Sequence, residues 1–231
     1  MSTQNQHAKI LQALGITQSP EKSSHYHRLR PYLGKPNQKK NKSRSTGGAN
    51  ESDVEKPKKI TRDAAIRGTA MHKYLEDLIL GDRSLDLTPL GQEAENMAKM
   101  IVDRGLSRVD EVYGTEAVLF YPGLYAGSCD LIGQVDGKLS IIDFKQTNKP
   151  KQREWIGDYF LQMAAYGMAH DAVYNTAIEQ GVIMMCSKDG LYQEFLIEGE
   201  EYRNAKHGFL KRLNEFYSMD NNSDAVVRGD G

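Results

Sequence analysis

Residues 125–145 read YAGSCDLIGQVDGKLSIIDFK. Two runs of aliphatic residues flank Asp136-Gly137, the dipeptide with the strongest preference for a two-residue hairpin loop. With that loop, Val135 faces Lys138, Ile132 faces Ile141 and Leu131 faces Ile142. The same register places Asp130 opposite Asp143. Side chains directly opposed across two antiparallel strands share one face, with Cβ atoms about 5 Å apart. Lys145 lies two residues beyond Asp143 and so emerges on the same face.

Working outward, residues 62–80 (RDAAIRGTAMHKYLEDLIL) show helical spacing of apolar residues, and Gly81 is placed to end that helix. Residues 89–105 read as a second helix and 109–121 as a strand preceding the hairpin. Residues 155–174 read as a helix. Residues 181–187 and 191–197 form a second hairpin around Lys188-Asp189-Gly190, and 199–217 a closing helix. The order α-α-β-β-β-α-β-β-α implies an α/β fold, a mixed sheet with helices packed on it.

Two carboxylates forced together among apolar neighbours repel each other, and burial sharpens the penalty. A cation between them relieves it. Asp130 and Asp143 are therefore candidate ligands for Mg2+ or Mn2+, hard cations that take oxygen ligands. Lys145 beside them is a candidate for orienting an attacking water, and the combination suits phosphodiester hydrolysis. The same residues also read as a surface strand with an ordinary ion pair, and the hairpin alone leaves both readings open.

Glu116, on the preceding strand, offers a third carboxylate or a solvated surface acid. His72 faces inward on the first helix, as a ligand or as a hydrogen-bonded core residue. Gln162 and Tyr166 are four apart and share a helix face within an otherwise apolar run. Lys149, Lys151 and Arg153 follow Lys145 in the loop QTNKPKQR, as a solvated loop or as a clamp for a nucleic-acid backbone.

Gly68-Thr69-x-x-His72, Gly127-x-x-Asp130-Leu131-Ile132, Ile142-Asp143-Phe144-Lys145 and Gln162-x-x-x-Tyr166 occur in that order. This series resembles the PD-(D/E)XK nuclease superfamily, and within it the RecB-like exonuclease branch, over roughly residues 62–217. The resemblance implies a restriction-endonuclease-like core, a central mixed sheet flanked by helices. It implies Asp130, Asp143 and Lys145 as catalytic residues. It implies Asp130, Asp143, His72 and Glu116 around the metal, and Gln162 and Tyr166 against DNA. Single-stranded DNA with a free end is the expected substrate, in replication, recombination or repair. An endonuclease, or an inactive DNA-binding accessory protein, are the alternatives.

There are departures from the branch. Cys129 and Cys186 are the chain's only cysteines, too few for the four thiolates that hold the iron–sulfur cluster of some members. No GxxxxGK[ST] phosphate loop of a helicase motor is present.

Charge divides the 231 residues unevenly. Residues 1–60 carry 12 Lys/Arg against 4 Asp/Glu, whereas residues 61–231 carry 18 against 27. The expected organisation is a basic, largely disordered arm over 1–60, a nuclease domain over 61–217 and a disordered tail over 218–231. Residues 36–59 (PNQKKNKSRSTGGANESDVEKPKK) contain a single large aliphatic side chain, Val54, and cannot bury enough surface to order themselves. Residues 7–16 (HAKILQALGI) suggest a short amphipathic helix, either a docking peptide for a replication or recombination partner or a frayed terminus. The arm can recruit DNA to an acidic body. Neither a membrane span nor a secretory signal is legible. The expected location is bacterial or phage-infected host cytoplasm, with the mitochondrial matrix as the alternative.

Overall fold

The computed structural model describes residues 17–18, 51–82 and 86–227. Its elements are β1 (Thr17–Gln18), α1 (Glu51–Leu80), α2 (Pro89–Arg104), β2 (Val109–Tyr121), β3 (Tyr125–Val135), β4 (Lys138–Thr147), α3 (Gly157–Tyr174), β5 (Gln180–Ser187), β6 (Tyr192–Glu198) and α4 (Gly199–Val227). The strands form one sheet in the order β1-β2-β3-β4-β5-β6. The two-residue β1 pairs with β2 in parallel, and β4 with β5 in parallel; the other neighbours are antiparallel. A mixed sheet flanked by helices is the α/β fold expected from the element order.

The hairpin register is the one the Asp-Gly loop dictates. Val135 pairs with Lys138, Ile132 with Ile141 and Leu131 with Ile142. Asp136 (φ 50°) and Gly137 (φ 76°) are both left-handed, as a two-residue turn of the right twist demands. Local chemistry also fixes the helix ends. Thr88 caps α2 by accepting the Gly91 N–H at 3.1 Å, and Pro89 occupies the first helical position. Gly81 ends α1 at φ 81°, with Asp82 N–H reaching back to Asp77 O at 2.7 Å.

Alternation along the strands feeds two cores. Leu131, Ile142, Phe144, Val182 and Met184 face α1 and α2, where they meet Met71, Leu75, Met97 and Ile101. Ile132, Ile141, Ile183 and Met185 face α3 and α4, where they meet Phe160, Met163, Ala164 and Tyr202. Every one of these side chains is buried. At about 25 cal/mol per Å2 of apolar surface, burial on both faces supplies the main force holding the sheet between its helices.

Two boundaries move. α1 begins at Glu51, so residues 51–59 continue a helix where a disordered linker was expected. Lys and Glu are good helix formers as well as typical linker residues, so their abundance there did not discriminate. α4 likewise continues beyond 217 to Val227. The rest of the arm, including 7–16, lies outside the described residues apart from Thr17–Gln18.

Candidate active site

Five side chains from four elements converge near the end of the β3–β4 ladder. α1 contributes His72, β2 contributes Glu116, β3 contributes Asp130, and β4 contributes Asp143 and Lys145. One atom each of His72, Glu116 and Asp130 lies within 4.8 Å of the others, two carboxylate oxygens and an imidazole nitrogen. His72 Nδ1 is 3.3 Å from Asp130 Oδ1, and the imidazole meets the Phe144 ring edge-on at 6.3 Å.

The backbone explains how three acids come so close. The β3–β4 pairing runs to Leu131–Ile142, and beyond it Asp130 uses its side chain in place of a strand partner. Asp130 Oδ2 accepts the Phe144 N–H at 2.7 Å. β2 carries two register irregularities, between Val109 and Glu111 and between Val112 and Gly114. Glu116 then sits between the Thr115–Leu131 and Ala117–Cys129 pairs, level with Asp130, at φ 48°. A non-glycine residue in the left-handed region is disfavoured, and such positions collect at functional sites.

Asp143 is 2% exposed. Burial and the neighbouring Asp130 charge push its carboxyl up to about 6, against the pull of Lys145 and His72. Lys145 is its ion-pair partner, with the ammonium set against Asp143 Oδ2. For His72, burial opposes the charged ring, but the hydrogen bond and charge of Asp130, helped by Glu116, outweigh it and raise the pKa. The cluster therefore gathers three carboxylates, one of them buried, around one imidazole and one ammonium. This oxygen-rich donor set with one imidazole fits a divalent cation such as Mg2+ or Mn2+.

A cleft of about 380 Å3 opens beside the cluster, lined by Gly68, Thr69, His72, Lys73, Glu76 and Glu116. On the other side stands α3. Gln162 Nε2 donates to Tyr166 Oη at 2.9 Å, so the two motif residues form one unit. A Cβ on Gly127 would lie 2.6 Å from Tyr166 Cε1, so the ring needs glycine at that place.

Two features were missed in the sequence. Tyr159, one turn before Gln162 on the same face of α3, places its ring 5.2 Å from Lys145 Nζ. Its i−3 spacing from Gln162 was the available signal. Arg67, only 6% exposed, donates to Gln146 at 3.0 Å, Glu93 at 3.0 Å and Asn148 at 3.1 Å. This network ties α1, and with it His72, to the end of β4 and to α2. Nothing local in the sequence announces partners so distant along the chain.

The expected basic clamp divides. Lys149 is exposed and Lys151 half-buried. Arg153 is committed elsewhere, donating to Glu201 at 3.1 Å and Leu196 O at 2.7 Å and lying 4.9 Å over the Phe160 ring. Arg153 thus anchors the loop and has Glu201 as an ion-pair partner. Among the described residues no helix is long and apolar enough to cross a membrane.

No protein-family model matches the chain. Curated relatives do. Mitochondrial genome maintenance exonuclease 1 of Homo sapiens is 30% identical over 143 residues, 58% of this chain and 40% of that protein. The Xenopus tropicalis protein of the same name is 30% identical over 162 residues, 61% of this chain and 45% of its own. A solved structure from Eubacterium rectale, of a protein named as a candidate exonuclease, is 12% identical at TM-score 0.47, covering 65% of this chain and 66% of that one. The chain thus spans less than half the length of the curated relatives it matches, and its similarity is to exonucleases.

Proposed function

We propose that the protein is a metal-dependent DNA exonuclease of the RecB-like branch of the PD-(D/E)XK superfamily. The observation that carries this is the His72–Glu116–Asp130 cluster set against the buried Asp143 and its partner Lys145. Similarity to proteins named exonucleases supports the same reading.

Asp130, Asp143, His72 and Glu116 would hold Mg2+ or Mn2+. Once bound, the cation supplies Lewis-acid polarisation of the phosphate and acidification of a water. The protein's own groups do the rest. Asp143 fixes the Lys145 ammonium, which orients the attacking water and offers a positive charge to the phosphate as its negative charge grows. Asp130 is itself fixed by the Phe144 N–H through Oδ2, which leaves Oδ1 beside His72 at the site. Gln162 and Tyr166, locked together, form the wall against which the nucleotide rests. Lys149 and Lys151 attract the backbone phosphates, and the basic arm adds a longer-range attraction.

Single-stranded ends are the proposed substrate, within DNA replication, recombination or repair. The test uses Mn2+ or Mg2+ with linear DNA labelled at either end, beside a covalently closed circle. Release of label from the linear strand, with the circle intact, is expected. Cutting of the circle would replace the exonuclease by an endonuclease built on the same residues.

A further inference from the structure

Trp155 is the chain's one tryptophan, and it is 65% exposed. Exposed apolar residues are ordinary singly, but an indole is large and rarely left so open. Its surroundings are firmly built. Trp155 closes the short 3-10 turn Arg153–Trp155, with its own N–H bonded to Gln152 O at 3.1 Å. On one side Ile156 is buried in the core, and its N–H reaches Arg153 O at 3.3 Å. On the other, Arg153 is clamped by Glu201, Leu196 O and the Phe160 ring. Further back, Gln193 brackets the Lys151 backbone, accepting its N–H at 2.8 Å and donating to its carbonyl at 2.9 Å. The loop is pinned at three points, and what it presents to solvent is the indole.

Charge and position narrow the partner. Lys149 and Lys151 precede Trp155 on the same loop, directly after Lys145 on β4. Tyr159, four residues later, packs against Lys145. A rigid, solvent-facing aromatic ring on a loop that also carries two lysines, four residues before the Tyr159 that meets Lys145, is the pattern on which unpaired bases stack. A duplex keeps its base faces covered, so the exposed indole favours a single strand.

We propose that Trp155 is a base-stacking platform that receives single-stranded DNA at the rim of the active site, its phosphates drawn by Lys149 and Lys151. This deepens the nuclease reading and rests on it. The rigid mount is part of the function, because a preordered ring loses little freedom when a base lands on it.

Because no other tryptophan contributes, the chain reports on itself. The full-length protein is titrated with a short oligothymidylate in EDTA, so that nothing is cut, while anisotropy of a labelled strand follows binding. Tryptophan emission is expected to be quenched in step with the anisotropy, and a blunt duplex to quench far less. Trp155→Ala is expected to weaken strand binding about tenfold, and Trp155→Phe to keep most of the affinity. Circular dichroism of both variants checks the fold. Strand binding with unchanged emission, or Trp155→Ala binding as tightly as the parent, overturns the platform and leaves the nuclease reading standing if Mn2+-dependent cleavage persists. Loss of both strand binding and cleavage in the parent protein overturns the two together.

Discussion

The ammonium of Lys145 lies 5.2 Å from the centre of the Tyr159 ring, while its other side pairs with Asp143. The lysine is held between a carboxylate and an aromatic face, which leaves its long side chain little freedom. A cation over an aromatic ring gains roughly 0.5–2 kcal/mol. Tyr159→Leu should therefore lower kcat by about three- to thirtyfold with KM little changed, and Tyr159→Phe should restore most of the loss. Equal effects of Leu and Phe in steady-state cleavage would mean that the ring does not position Lys145.

Gly127 and Tyr166 make a second prediction. A Cβ at 127 would meet Tyr166 Cε1 at 2.6 Å, and the ring cannot simply swing away while Gln162 holds its hydroxyl. Overpacking of this kind typically costs about 1–3 kcal/mol. Gly127→Ala should lower the urea midpoint by a corresponding amount. The loss should shrink in a Tyr166→Leu background, where the clash is relieved. Additive effects would place the cost elsewhere.

His170 governs a pH dependence remote from the active site. The ring is 1% exposed, contacts Thr176 Oγ1 at 2.7 Å, and burial pushes its pKa down to about 4. The unfolded chain takes up this proton near 6.5, before the folded chain does. Above that pH the group is neutral in both states and contributes nothing to the pH dependence. As pH falls from 6.5 towards 4, the unfolded state binds more protons and stability drops, by an upper bound of about 3 kcal/mol. Urea midpoints measured between pH 7 and 4.5 should fall, and His170→Gln should flatten that decline relative to the parent. Parallel slopes in the two proteins would assign the decline to other groups.

How much of this was legible in the sequence depends on the range of the interactions. The Asp136-Gly137 turn is local, and it set the register that brings Asp130 and Asp143 together. Helix caps such as Thr88-Pro89 and Gly81 are equally local. The Arg67 network was not legible, because Gln146 is 79 residues away and no periodicity encodes that meeting. The same holds for Arg153 and Glu201, 48 residues apart. Glu116 was visible as an acid on the right strand. Its left-handed backbone is a feature of the folded strand, and nothing in its immediate neighbours declares it. Tyr159 is different, since it shares the helix face of Gln162 and Tyr166 and could have been read.

The central claim is that Asp143 and Lys145 act together in cutting DNA. The direct measurement is Mn2+-dependent release of terminal label from linear single-stranded DNA, by the parent protein and by Asp143→Ala and Lys145→Ala, each checked by circular dichroism. The account predicts release by the parent and a loss of a hundredfold or more, roughly the scale for removing a transition-state electrostatic group, in both folded variants. Folded variants that release label as fast as the parent would contradict it.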